Sequence, residues 1–206
     1  MIGDAIHWLV SSVVAIFAVV SDLPATHDAC ENDHWTGIYD DRFRSAWLTF
    51  VPLEYARFHC WGKAQAIAES RLDAAATSPA GAEGIAQFMP GTWSEVLQRQ
   101  GWQGSPYDED LAIKAQAVYM SRMIHVWASP RPESERLLLA TASYNQGPGN
   151  TVKAQKICAG ARTWREIAPC VPEATPSHPD ETVQYVRRIH ATYADLAGEP
   201  FPAETY

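Results

Sequence analysis

The stretch AIAESRLDAAATSPAGAEGIAQFMPGTW, residues 66–93, carries near its start two carboxylates four positions apart, Glu69 and Asp73. Four residues make about one helical turn, so the two acids could share a face. A carboxyl group that acts as a general acid near neutral pH needs a raised pKa, which desolvation in an apolar pocket supplies. Position 69 offers that setting. It lies between Ala68 and Ser70 at the end of a helical pattern and faces a loop so rich in Ala and Gly that a ligand could approach the backbone closely. A lone glutamate on a helix is ordinarily a solvated surface residue, so the assignment rests on what surrounds it.

The elements that would hold it are helical. Leu53, Ala56, Cys60, Ala64 and Ile67 recur at three- and four-residue steps, the pattern of a helix with one buried face, and Glu69 falls at its carboxyl end. A second helix opens at Met89-Pro90, with Thr92 and Glu95 at capping-box spacing, and closes before Gly101. Ser105, Pro106 and Asp108 announce a third, running to about Trp127. Residues 133–144 read as another helix, which stops at NQGPGN. Short helical pieces are expected at 151–158 and 163–167, followed by a proline-rich loop, PCVPEATPSHPD. The last helix starts after Pro179, shows Val183, Val186, Ile189, Tyr193 and Leu196 on one side, and ends at Gly198. No stretch alternates with period 2, so the expected class is all-α.

A chain of 206 residues suits one compact domain with a short appendage. Net charge of -8 without a basic stripe argues against a nucleic-acid partner. The four cysteines form no CxxC pair and the histidines do not fall at zinc-ligand spacing, so no metal or other cofactor is expected. In an oxidising compartment the economical pairing is Cys30 with Cys60 and Cys158 with Cys170; in a reducing one all four are small buried side chains. Residues 5–21 carry no formal charge and as a helix would span about 26 Å, close to a bilayer core. Acidic residues dominate the following flank before Arg42, and the positive-inside rule permits export of everything after residue 22. The expected division is an apolar signal-anchor or membrane helix over 1–21, a linker over 22–42, a catalytic domain over 43–198 and a tail over 199–206. The alternative for the apolar run is a helix buried in a partner or in the domain's own core.

The pattern around Glu69 resembles the signature of the soluble lytic transglycosylases, goose-type-lysozyme-like enzymes that cleave peptidoglycan. In that family a Glu-Ser pair closes a helix, a Ser-Pro-x-Gly turn follows, and then a Gly-hydrophobic-x-Gln-hydrophobic-Met-Pro segment. Here these are Glu69-Ser70, Ser78-Pro79-Ala80-Gly81 and Gly84-Ile85-Ala86-Gln87-Phe88-Met89-Pro90. Two further elements are ASYNQGPG at 142–149, where Gln146 replaces the more usual Ala, and Glu181-Thr182-Val183-Gln184-Tyr185-Val186.

The resemblance implies a lysozyme-like helical domain in which Glu69 is the sole catalytic acid and base, acting on the bond between MurNAc and GlcNAc. It implies that Ser78 and Gln87 line the site and hydrogen-bond substrate or the catalytic carboxylate. Tyr144 would touch Glu69 and the sugar, Asn145 would shape the loop behind it, and Glu181 and Tyr185 would close the groove from the last helix. Glycosidases commonly use two carboxylates, but the family usually carries Asn at the place of Asp73, which suits a turn former. With one carboxyl group, the MurNAc 6-hydroxyl is the expected acceptor and a 1,6-anhydro end the expected product; plain hydrolysis would need a second group to position water. The expected setting is the bacterial inner membrane or periplasm, with glycan strands as partner, the membrane reached through the amino-terminal helix, and a monomer that serves host-cell lysis. The alternatives are local wall remodelling in a secretion or conjugation system, a virion-borne enzyme, or a catalytically silent glycan-binding scaffold.

Overall fold

The structure, a computed structural model, describes residue 30, residue 35 and residues 37–203. The expected apolar helix over 1–21 and most of the 22–42 linker lie outside those residues. Nine α-helices follow one another among the described residues: α1 Asp40–Phe50, α2 Cys60–Ser70, α3 Pro90–Gln100, α4 Glu109–Val126, α5 Glu133–Gln146, α6 Pro148–Ile157, α7 Trp164–Ile167, α8 Val171–Ala174 and α9 Glu181–Ala197. The only extended pairing among them is two isolated antiparallel bridges, Thr77 with Glu83 and Glu83 with Phe88. The all-α expectation therefore holds.

α2 is the axis of the fold. Every residue from Cys60 to Ile67 is buried, and a helix covered on all sides must have neighbours on all sides. α9 lies along one flank, α1 packs on another and α4 touches it as well, while a Trp61 hydrogen bond to Thr141 links it to α5. The stripe of α9 that turns inward is Thr182, Tyr185, Val186, Ile189, Tyr193 and Leu196. Several polar groups drawn into this interior find partners, as most buried polar groups do. The Trp61 indole donates to the Thr141 hydroxyl at 2.9 Å, and the Gln116 amide donates to the Gly62 carbonyl at 3.2 Å. Lys63, wholly enclosed, gives its ammonium to Asp40 at the start of α1.

The packed body reaches beyond 43–198 on both sides. Tyr39 and Cys30 are buried on the amino side, and Phe201 stacks on Trp61 with ring centroids 4.6 Å apart. Periodicity marks where helices stop, whereas an aromatic residue in an irregular tail can still close a core. Both cysteine pairs are disulfide-bonded, Cys30 with Cys60 and Cys158 with Cys170.

Three local expectations are corrected. The segment ahead of α2 is a 3₁₀ turn, Leu53–Phe58, rather than the start of one long helix. Its buried residues, Tyr55 and Phe58, are three apart, which suits three residues per turn. Thr92 and Glu95 form no capping box, because Pro90 fixes the helix start and Met89 is the cap residue; Glu95 accepts instead from Arg99 and Arg122. A true capping box forms at Thr163 and Glu166. Finally, the proline-rich stretch is partly helical, because the prolines of Ala168–Cys170 and of α8 occupy first-turn positions that need no amide hydrogen.

Candidate active site

α2 ends at Ser70, and the chain leaves it through two consecutive left-handed residues, Arg71 at φ 60 and Leu72 at φ 67. This reversal stops the helix one residue after Glu69 and throws the 73–89 loop back across its end. Ser70 staples that loop down by donating its hydroxyl to the Ile85 carbonyl at 2.9 Å. Asp73 accepts from the Ala75 amide at 2.9 Å, the side-chain turn expected of it.

A groove of about 570 Å³ opens over this junction, lined by Glu69, the 78–82 turn, the 87–89 segment, Tyr119, Tyr144, Asn145, His178 and Glu181 among others. Another hollow of about 560 Å³, beside Phe50, Arg122 and His125, has no carboxylate in its lining. The groove over Glu69 is the candidate site, because it brings that carboxyl group together with the 78–82 turn and the 87–89 segment.

Glu69 is half-buried, and its pKa is pushed up from 4.5 to about 7. Desolvation by its surroundings is the main cause, and the nearby Glu181 adds to it; the Tyr185 hydrogen bond and the Arg188 charge oppose it. The Tyr185 hydroxyl donates to Glu69 Oε1 at 2.5 Å. Burial and the Glu69 charge hold the phenols of Tyr185 and Tyr144 protonated well above their usual range. The result is a carboxyl group poised to hold a proton near neutral pH beside a fixed phenolic donor.

The other residues singled out from the sequence divide by what their polar atoms do. Tyr144 lines the groove and feels the charge of Glu69, but its hydroxyl donates to the Ala86 carbonyl at 3.1 Å, so its hydrogen bond fastens the loop. Gln87, held at φ 47, lines the groove while its amide donates to the Gly84 carbonyl at 2.9 Å and the Ala76 carbonyl at 3.3 Å. Ser78 accepts from the Ala82 amide at 2.9 Å and so shapes the turn at the rim. Asn145 accepts the Thr182 hydroxyl at 2.6 Å, tying the end of α5 to the first turn of α9. Glu181, exposed on that turn, stands 3.5 Å from His178. Hence Tyr185 alone of this set hydrogen-bonds Glu69.

Tyr119, His178, Met89 and Thr92 also line the groove and were not anticipated. Tyr119 stacks edge-on with Tyr144 at 5.0 Å and neighbours Phe88 at 6.0 Å, forming an aromatic wall. A tyrosine on a mostly apolar helix reads as core. Only its hydroxyl, in a helix otherwise built of Ala, Val and Met at that level, hints at an open side. Cys30, His59 and Cys60 lie close enough to suggest a metal cluster, but both sulfurs are bonded to each other.

The transglycosylase SLT domain family matches residues 63–167, just over half of the chain. Similar curated proteins include membrane-bound lytic murein transglycosylase F of Shewanella pealeana, 30% identical over 125 residues that make up 58% of this chain and 25% of that protein. The protein of the same name from Yersinia enterocolitica is 27% identical, over 62% of this chain and 27% of its own length. The chain thus spans about a quarter of the length of these relatives. Among solved structures, the 70 kDa soluble lytic transglycosylase of Escherichia coli superposes with a TM-score of 0.58 at 25% identity, covering 76% of this chain and 23% of that one. An inactive mutant of lytic transglycosylase Slt from Pseudomonas aeruginosa gives a TM-score of 0.56 at 26% identity, covering 77% of this chain and 25% of that one. The helical body is therefore the lysozyme-like fold of these enzymes, and the chain belongs to the transglycosylase SLT domain family.

Proposed function

We propose that the groove binds peptidoglycan glycan strands and that Glu69 cleaves the β-1,4 bond between MurNAc and GlcNAc, leaving a 1,6-anhydroMurNAc end. The observation that carries this reading is a single half-buried carboxyl group with a pKa of about 7, hydrogen-bonded to Tyr185 in the groove. Protonated Glu69 gives its proton to the glycosidic oxygen as the C1–O bond breaks, and the MurNAc N-acetyl carbonyl bonds to C1 to hold the positive charge. The Glu69 carboxylate then takes the proton of the 6-hydroxyl, whose oxygen displaces the carbonyl from C1. Proton and electron pairs balance, and Glu69 is restored.

A hydrolase of this geometry would need a second group to activate water. Asp73 is engaged in its own turn, and Glu181, the other carboxylate in the groove lining, is exposed beside His178. Mass spectrometry of sacculi digested by the protein distinguishes the two outcomes. The expected products are anhydro-muropeptides; reducing MurNAc ends alone would overturn the reading.

The two disulfides fit an oxidising compartment, and the apolar run over residues 5–21 supplies an export element. We therefore place the domain on the periplasmic side of the inner membrane. Among the described residues no helix is long and apolar enough to cross a membrane, so the test concerns residues 1–30. Fused to a reporter that works only in the periplasm, they should yield activity; an inactive but expressed fusion rejects export. In the same cells, rapid lysis on induction of the full chain assigns a role in host lysis, and growth without lysis assigns local remodelling.

A further inference from the structure

Gln65 lies on α2 one turn before Glu69, is completely enclosed, and makes no hydrogen bond through either its amide nitrogen or its amide oxygen. Enclosed amides without partners are rare and unfavourable, and an apolar side chain would fill the same space at lower cost. The surroundings supply a reason for the amide. Residues 65 and 69 share a helix face, and α9 packs along α2 with Tyr185 buried beside Glu69. The Tyr185 hydroxyl has one proton, which goes to Glu69 Oε1, leaving its oxygen able to accept. The phenol senses the Gln65 amide as a donor, although the bond is not closed in the resting geometry.

We propose that Gln65 is a positioning residue for the acid, whose amide N–H faces the Tyr185 oxygen and keeps the phenol proton aimed at Glu69. The proposal rests on the reading of Glu69 as the acid. Once Glu69 has given its proton away, the phenol donates to a full carboxylate, its oxygen becomes the better acceptor, and the Gln65 bond closes behind it. Hydrogen bonds in such a chain reinforce one another, so the amide stabilises the carboxylate form selectively. The titratable and charged groups that act on Glu69 are Tyr185, Arg188 and Glu181 from α9 and Tyr144 from α5, with Tyr119 of α4 behind Tyr144. None of them lies on α2, where Gln65 and Ser70 are uncharged.

The test is the titration of the Glu69 carboxyl carbon by NMR in the full chain without substrate. The proteins compared are the wild type, Gln65→Met, Tyr185→Phe and the double variant. Gln65→Met should move the Glu69 midpoint upward by about a few tenths of a pH unit, less than Tyr185→Phe does, because it removes only a second-hand stabilisation of the carboxylate. In the Tyr185→Phe background it should add nothing. An unchanged midpoint in Gln65→Met overturns the proposal, as does the same shift with and without Tyr185. A lowered Tm with an unmoved titration makes the amide structural and also overturns it. Gln65→Leu repeats the measurement with a second apolar side chain, and failure of both variants to fold counts against the proposal. Because no substrate is present, this outcome stands apart from the anhydro-product experiment, which alone decides the lytic reaction.

Discussion

Glu69→Gln is expected to lower the rate of peptidoglycan cleavage by roughly 10²–10⁴-fold, the span usual for loss of a general acid, while the circular dichroism of the helices stays that of the wild type. The amide matches the neutral carboxyl in shape and can still accept the Tyr185 proton, so the loss isolates proton transfer from packing. A variant with wild-type rate would remove Glu69 from the chemistry. The wild-type rate should fall as pH rises through about 7, where Glu69 loses its proton. Stability carries a second signature of the same group. Its pKa rises from 4.5 to about 7 on folding, so between those values the folded protein holds more of this proton than the unfolded chain does. Stability due to Glu69 is therefore complete below pH 4.5, declines as pH rises through that window, and is gone above about 7. The full difference is on the order of 3 kcal/mol. Glu69→Gln does not titrate. Thermal melts should show it matching the wild type at pH 4 and exceeding it at pH 8; equal Tm values at both would mean that Glu69 is not desolvated on folding.

Much of this site was legible in the chain because its parts are local. The end of α2 at Glu69-Ser70 follows from the spacing of Cys60, Ala64 and Ile67, and the 78–90 motif is one continuous segment that the Ser70 hydroxyl fastens to the helix. The role of each hydroxyl was less legible, because it depends on how helices cross. Tyr144 and Tyr185 are both motif tyrosines, and only the packing of α9 along α2 gives the bond to Glu69 to Tyr185 and leaves Tyr144 to hold the loop. Tyr119 was missed for the same reason: its neighbours Ala115 to Val118 and Met120 are all buried, and sequence cannot say which side of such a stretch faces an opening. The misread capping box shows a competition between signals. Thr92 and Glu95 have the spacing, but Pro90 sets the helix start ahead of them.

Gly84→Ala should cost the fold about 3–5 kcal/mol, through a contact invisible to any local pattern. The motif glycine at position 84 sits at φ 75, where a side chain is already strained. A Cβ there would lie 1.9 Å from the Pro106 carbonyl oxygen and 2.8 Å from its carbon, in the turn that leads into α4. Backbone atoms cannot swing aside as the end of a flexible side chain can, so either the 73–89 loop or the 105–108 turn must move. The loop has little freedom to do so. Ser70 holds Ile85, Tyr144 holds Ala86, and Gln87 binds the Gly84 carbonyl itself. The displacement would reach the wall of the groove beside Glu69, and activity should fall along with a Tm lowered by roughly 10 °C or more. Ala in place of Gly101, whose added Cβ meets nothing within 4 Å, serves as the control. It bears the left-handed strain alone, with φ 67 at the end of α3, and should cost only about 1 kcal/mol. Melting temperatures of the two variants separate collision from strain. Equal losses would show that the close approach of Gly84 to Pro106 does not hold in solution.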